Sequence, residues 1–172
     1  FSDPLFAIEI NDNLKSIRFG LAAIKGVGIK SISSMVDERN KNGKFKSIID
    51  FMNRVSKEVI NKRQLEKLIQ AGAFDSIEAN RSKLFNNVPK FVELFGGEKN
   101  INQDMLFEEN EISFEDKNLF NQNYEKWNNA EILSNELEVI GFYFSDHPLN
   151  HYPKKFFELE NIMSFKNYSE SY

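Results

Sequence analysis

The sequence predicts an all-α fold, because apolar residues recur every three or four positions over most of the chain. Only one short stretch alternates like a strand, and 172 residues are enough for one domain with extensions. The chain starts at Phe1 without an initiator Met, which predicts an internal segment of a longer protein. We expect a helical bundle followed by a flexible linker, a further helix and an irregular tail.

The composition argues against membrane and metal-binding classes. No apolar run has the length of a membrane-spanning helix, and no signal peptide opens the chain. The absence of cysteine excludes disulfides and thiolate metal sites, which fits a reducing cytoplasm. His147 and His151 are four residues apart, but Pro148 lies between them, so we predict no zinc site.

Charge is divided unevenly along the chain. Residues 1–13 carry three acidic and no basic side chains, a net charge of −3. Residues 14–90 carry 16 basic and 7 acidic side chains, a net charge of +9, whereas residues 91–172 carry 6 and 16, a net charge of −10. This division predicts a basic body that faces a polyanion and an acidic tail that avoids one. Charge alone leaves open the alternative of scattered lysines that only solvate the surface.

The first third of the chain contains one candidate strand and three candidate helices. Residues 6–12, FAIEIND, alternate as a strand does. Apolar stripes at spacings of three and four predict the helices: Leu14, Ile17, Leu21 and Ile24 in the first, Ile29, Ile32, Met35 and Val36 in the second, and Phe45, Ile48, Ile49 and Met52 in the third.

Caps and helix breakers mark the next two helices. Asn61 is a favourable N-cap with Gln64 three residues later, as in a capping box. The helix that they begin, with Leu65, Leu68 and Ile69 facing inward, is expected to end at Gly72. Another helix from about Asn80 is expected to kink or end at Pro89 and to continue as a short piece to Phe95.

Paired glycines and polar residues, GGEKNINQD, predict a linker over 96–122. A last helix is predicted over 123–145, with an apolar stripe closed by Gly141: Trp127, Ala130, Leu133, Leu137 and Ile140. Residues 146–172 contain two prolines and clustered aromatic residues, which predicts irregular structure.

The stretch IKGVGIKSI is typical of a helix-hairpin-helix, in which two short helices are joined by Gly-hydrophobic-Gly. Glycine permits positive φ angles and leaves no side chain between the turn and a ligand. The second helix then points its free N–H groups at that ligand, which suits a phosphate. Lys25 and Lys30 add positive charge there, and Val27 is expected to hold the turn. An ordinary glycine turn between packed helices is the alternative.

A second and weaker copy of this hairpin follows at Gly72-Ala73-Phe74. It keeps one glycine, and Asp75 would repel a phosphate, so we expect it to be mainly structural. Arg81 and Lys83 are expected to reach DNA from the next helix. Over both hairpins, the predicted DNA-binding residues are Lys25, Gly26, Val27, Gly28, Lys30, Ser31, Gly72, Arg81 and Lys83.

Four stretches in order, IRFGLAAIKGVG, GKFKSIIDFMNRV, INKRQLEKLIQAGAFDS and ELEVIGFYFSDHPLNHY, resemble the alpha subunits of bacterial replicative DNA polymerase III. The resemblance covers nearly the whole chain and departs at Asp146, where the family usually has glycine. It implies the end of the fingers region at 1–13, tandem helix-hairpin-helix motifs at 14–95 and a lead-in to an OB-fold domain at 146–172.

The resemblance also implies that catalysis lies elsewhere. The family's polymerases use Mg²⁺ held by palm-domain aspartates, and we expect no cofactor in this segment. Asp3, Glu9 and Asp12 show no paired arrangement, and no strong strand pair is predicted to hold them. We therefore expect a binding segment of a cytoplasmic, nucleoid-associated polymerase with no membrane contact.

In this family the linker carries a short peptide that binds the sliding clamp (the beta subunit). Gln103-Asp104-Met105-Leu106-Phe107 resembles that peptide in its leading Gln and closing Leu-Phe. The implied partners are therefore duplex DNA, the sliding clamp and other replicase subunits. The alternatives are a hairpin segment of a DNA ligase or repair nuclease, or a helical protein-interaction domain without a DNA role.

Overall fold

The computed structural model describes residues 3–11, 14–55, 59–96 and 122–151. The described chain runs through two strands, β1 (Ala7–Asn11) and β2 (Leu14–Arg18), a 3-10 helix at Leu21–Ala23, helices α1 (Ile29–Asn42), α2 (Ile48–Arg54), α3 (Lys62–Gln70), α4 (Arg81–Gly96) and α5 (Asn129–Val139), and a 3-10 turn at Pro148–His151. The predicted all-α class is confirmed, with one small sheet added. None of the helices within these ranges is long and apolar enough to cross a bilayer.

The first predicted helix was wrong. Leu14–Arg18 forms a strand that pairs antiparallel with Ala7–Asn11, and only the short 3-10 helix precedes the Gly26 turn. Residues 14–18 pair with a strand close in sequence, as at Ile8–Ile17, and this pairing competes with helix formation along the short apolar stripe. The expectation that no strand pair exists near Glu9 was wrong for the same reason.

Helices α1 to α4 enclose one apolar core. The core side chains of these four helices that are at most 1% exposed are Ile32, Phe51, Leu65, Leu68, Ile69, Val88 and Phe91. The ring of Phe51 contacts those of Phe45 and Phe74 at centroid distances of 5.0 and 4.9 Å. This core holds both predicted hairpins in one body.

The caps predicted from sequence form as expected around α3. Asn61 accepts a hydrogen bond from the Gln64 N–H, and the Gln64 side chain accepts one from the Asn61 N–H. Gly72, with a φ of 78°, follows the last turn of α3 as predicted. Helix α4 does not end at Pro89. It continues through this residue to Gly96, and Val88 and Phe91 on either side of the proline are buried.

Helix α5 starts later than predicted, at Asn129, because Asn128 and Glu131 form a capping box. The segment from Gln122 onward packs on the helical body. The Asn80 side-chain amide donates a hydrogen bond to the Tyr124 carbonyl over 2.9 Å. The rings of Phe85 and Trp127 are in contact, with 5.5 Å between their centroids. The chain on both sides of residues 97–121 thus belongs to one body.

Candidate nucleic-acid interface

The turn between the 3-10 helix and α1 has the geometry that a phosphate site needs at its first glycine. Gly26 has a φ of 81°, so this turn requires the left-handed conformation there. A Cβ at Gly26 would meet only the Lys67 Cγ, at 4.0 Å, so the turn is open to solvent. Gly28 differs from the prediction, because its φ of −80° is ordinary for any residue.

The N-terminus of α1 points its N–H groups at this turn without a side-chain cap. Gly28 is the N-cap residue and supplies no side-chain acceptor, and the first turn of α1 has no acidic residue. The first N–H groups of a helix have no partner within the helix and carry a partial positive charge. This end of α1 can therefore accept an anion.

Lys25 and Lys30 lie on either side of the turn and are exposed. Neither lysine makes an ion pair with any residue in the ranges that the structure describes. Their charge is available to a ligand at the helix end. The predicted residues Lys25, Gly26, Gly28 and Lys30 are thus brought together on one exposed surface.

Val27 has the role expected of it. Its side chain is 7% exposed and belongs to the main core together with Ile24, which is 2% exposed. The Val27 N–H donates to the Ile24 carbonyl over 3.2 Å, which closes the turn. Val27 therefore anchors the turn from below. Its buried side chain differs from what we expected of a DNA-binding residue.

Gly72 in the second turn makes room for a guanidinium. A Cβ at Gly72 would lie 2.2 Å from Arg81 Nη2 and 2.8 Å from Asp75 Oδ2, so Arg81 and Asp75 would have to move to admit any side chain there. Arg81 donates to Asp75 through Nη2 over 2.7 Å and to Glu136 Oε1 through Nη1 over 3.0 Å. The second turn is therefore occupied by a side chain of the protein.

The position of Arg81 differs from what we expected of a DNA contact. Its side chain is 9% exposed and its charge is paired with two carboxylates, so it faces inward. Lys83 is half-buried and pairs with Glu78 over 2.9 Å. Asn80 also caps α4 by accepting from the Lys83 N–H over 3.0 Å. The second hairpin thus lacks the open, uncapped helix end of the first.

Glu136 on α5 completes this buried group. It is fully buried and accepts hydrogen bonds from the N–H groups of Phe144 and Ser145, both over 2.8 Å, and from the Ser145 hydroxyl. Burial by itself raises the pKa of Glu136, but these hydrogen bonds and the one from Arg81 outweigh it and lower the pKa below its usual value. The carboxylate is therefore charged and binds α5 to the second hairpin.

Two supporting contacts were missed from the sequence. The Gln64 amide donates to the Ser31 hydroxyl over 3.2 Å, which places the predicted residue Ser31 between α1 and α3. Gln70 donates to Asn135 of α5 over 2.8 Å. The capping box identified Gln64 only as a cap, and no local pattern joins residues 65 positions apart.

The predicted clamp-binding residues Gln103 to Phe107 lie outside the described residues. In the described part of the chain, no three His, Asp or Glu side chains are grouped as metal ligands would be. His151 instead pairs with Asp146 over 2.7 Å, and Asp3 pairs with Arg18 over 2.8 Å. The feature of the described surface that best suits an ion is therefore the uncapped N-terminus of α1 behind the Gly26 turn.

Comparison with known proteins agrees with this geometry. A family model described as a helix-hairpin-helix motif matches residues 1–84. DNA polymerase III subunit alpha of Borreliella burgdorferi is 40% identical over 142 residues, covering 80% of this chain and 12% of that protein. The same subunit of Neisseria meningitidis is 41% identical, covering 81% and 12%, and that of Staphylococcus aureus is 37% identical, covering 88% and 13%. The chain thus spans about one eighth of the length of these relatives.

Proposed function

Because this chain belongs to the family of bacterial DNA polymerase III alpha subunits, we propose that it is the segment of such a polymerase that binds the backbone of duplex DNA. The observation that carries this proposal is the uncapped N-terminus of α1 behind the Gly26 turn, with Lys25 and Lys30 beside it. In the proposal, the parent chain is a DNA-directed DNA polymerase whose Mg²⁺-dependent chemistry takes place outside residues 1–172.

The proposed contact is an N–H cradle for a phosphate. The first N–H groups of α1 donate to phosphate oxygens, the helix dipole adds to the attraction, and the two lysines neutralise neighbouring phosphates. Such contacts do not touch base edges, so binding is independent of sequence. A replicative polymerase needs that property, because it must move over every sequence that it copies.

We further propose that Gln103 to Phe107 bind the sliding clamp. Burial of Leu106 and Phe107 in an apolar pocket would contribute about 3–6 kcal/mol, and ordering the peptide would offset part of it. The isolated peptide is therefore expected to bind at about micromolar affinity at best. Since the polymerase and clamp share one duplex, their effective concentration is high and weak binding suffices. The other replicase subunits would join through the parent chain in the bacterial cytoplasm, at the nucleoid.

The DNA proposal is tested by titrating a short fluorescent duplex with the 172-residue chain at several salt concentrations. With two to four phosphate contacts, log K should fall against log salt with a slope of about −2 to −4. Duplexes of different sequence but equal length should bind equally. An affinity that does not change with salt, or one that depends strongly on sequence, would overturn the proposal.

A further inference from the structure

The β1–β2 hairpin has one apolar face. Ile8 and Ile17 are direct cross-strand partners, so their side chains lie on the same face. Phe6 precedes Ile8 by two positions and Phe19 follows Ile17 by two, which puts both on that face as well. The rings of Phe6 and Phe19 are in contact at a centroid distance of 5.0 Å.

This face extends beyond the hairpin to the loop that follows α5. The Phe19 ring contacts those of Phe142 and Phe144 at centroid distances of 5.7 and 6.0 Å. The hairpin face is therefore the surface of six apolar side chains Phe6, Ile8, Ile17, Phe19, Phe142 and Phe144. All except Phe19 are strongly exposed, from 47% at Phe142 to 76% at Ile17.

An antiparallel sheet in an isolated domain normally packs its apolar face on the core and exposes its polar face. The β1–β2 hairpin departs from this pattern. Arg18, on the opposite face from Ile17, points toward the helical body, where it pairs with Asp3 over 2.8 Å. Asp3 in turn lies 3.7 Å from Arg39 of α1. Arg18 thus links the polar face to the body through Asp3. On the apolar face only Phe19 packs against the core, whereas the side chains of Ile8 and Ile17 are exposed. Such alternation normally places the apolar residues against a partner.

We propose that the hairpin face is an interface covered by another domain of the same polypeptide, outside residues 1–172. A two-stranded hairpin is marginal in water and needs further packing on its apolar side. The relatives extend far beyond the matched segment, which is 12% of their length in the first case. A surface on the same polypeptide is present at a far higher effective concentration than any separate molecule.

The chemistry of the face supports a protein partner. Five of its six side chains expose apolar atoms that cannot bind phosphates, and Lys15, which continues the same face on β2, forms a polar rim. The expected partner is therefore an apolar protein surface. This inference rests on the family membership and does not depend on DNA contact at the Gly26 turn.

The test uses the absence of cysteine from the 172 residues. Ile17→Cys places a thiol on the hairpin face, and Ser16→Cys places one on the opposite face of the same strand as a matched control. Each variant is made both in the 172-residue chain and in the full-length subunit. The rate of alkylation at that cysteine is measured by peptide mass spectrometry, first without DNA and then with a duplex added.

We expect alkylation of Ile17→Cys to be slower by about tenfold or more in the full-length subunit than in the 172-residue chain, because burial protects a thiol. Ser16→Cys should change far less. Equal rates for Ile17→Cys in the two proteins would overturn the proposal. So would protection in the 172-residue chain that increases with its concentration, which would indicate a second copy, or protection that requires added DNA. Loss of salt-dependent DNA binding would leave this result unchanged, so the two proposals fail separately.

Discussion

The backbone N–H of Lys25 donates a hydrogen bond to the carbonyl oxygen of Val139, with 2.8 Å between the two atoms. Lys25 begins the turn that we propose as the phosphate site, and Val139 is the last residue of α5. One of the unpaired carbonyls at the end of α5 is thereby satisfied by the hairpin turn. A helix more than 100 residues away in sequence thus stabilises the conformation of the proposed DNA contact.

Gly26 and Gly43 allow stability and DNA contact to be measured apart. Both have positive φ angles, 81° and 82°, and a Cβ at either would meet almost nothing. Each change to alanine should lower the free energy of unfolding by about 1–2 kcal/mol, because a left-handed backbone conformation is strained for alanine.

Only Gly26→Ala should weaken duplex binding, because its methyl group lies on the turn that the phosphate approaches. Anisotropy titrations and denaturant unfolding of both variants check this. Equal loss of DNA affinity in Gly43→Ala would show that the effect comes from stability.

Gly28→Asp should improve the fold and weaken DNA binding. Aspartate is a better N-cap than glycine by a few tenths of a kcal/mol, and the φ of −80° accommodates it. Its carboxylate would occupy the N–H groups of α1 and repel phosphate, so we expect duplex affinity to fall by about tenfold or more. Gly28→Ser, a neutral cap, is the matched control and should have a smaller effect. Unchanged affinity in Gly28→Asp would place the DNA contact elsewhere.

Arg81→Ala should destabilise the protein without changing how the folded protein responds to salt. The variant leaves Glu136 buried without its cation, and losses of this kind cost about 3–5 kcal/mol. Lys83→Ala, which removes a half-buried lysine paired with Glu78, should cost less than about 1 kcal/mol. Urea unfolding gives both values. If Arg81→Ala, compared at a temperature where both proteins are folded, reduces the salt slope by about one, Arg81 contacts a phosphate after all.

Glu136 predicts a loss of stability in acid. Because its pKa is lowered in the folded protein relative to 4.5, its contribution to stability is present above about pH 4.5 and is lost as the pH falls through the folded value. The free energy of unfolding should therefore decrease from about pH 5 to pH 3, and Glu136→Gln should flatten that decrease. Denaturant unfolding at a series of pH values measures both curves. Parallel curves for the two proteins would contradict the assignment.

The clamp proposal is tested within the linker by two pairs of Leu-Phe residues. Leu106→Ala with Phe107→Ala should reduce clamp binding by about tenfold or more, since the two side chains supply most of the buried apolar surface. Leu119→Ala with Phe120→Ala removes the same side chains at a place without the leading Gln, and should leave clamp binding intact. Surface plasmon resonance with immobilised clamp compares them, and duplex binding should be unaffected in both. If only the second pair matters, the clamp peptide lies at 119–120.

Local signals in the sequence were sufficient for most helices but not for their tertiary partners. The capping box at Asn61 and Gln64 and the glycine at 72 fixed α3, since these interactions lie within a few residues. The helix predicted from the apolar stripe Leu14 to Ile24 was wrong, because Leu14–Arg18 pairs with the strand Ala7–Asn11. The inward position of Arg81 depends on Glu136, 55 residues later, and no periodic pattern reports a contact of that range.

Residues 97–121 are flanked on both sides by chain that packs in the same helical body, α4 before them and the segment from Tyr124 to α5 after them. Tyr124 and Trp127 contact Asn80 and Phe85 of that body, so the chain is fixed to it again within a few residues. Doubling the length of a flexible loop costs only about 0.6 kcal/mol. If Gln103 to Phe107 bind the clamp as we propose, the reach of that peptide can therefore change without any change in the residues that we propose for DNA binding.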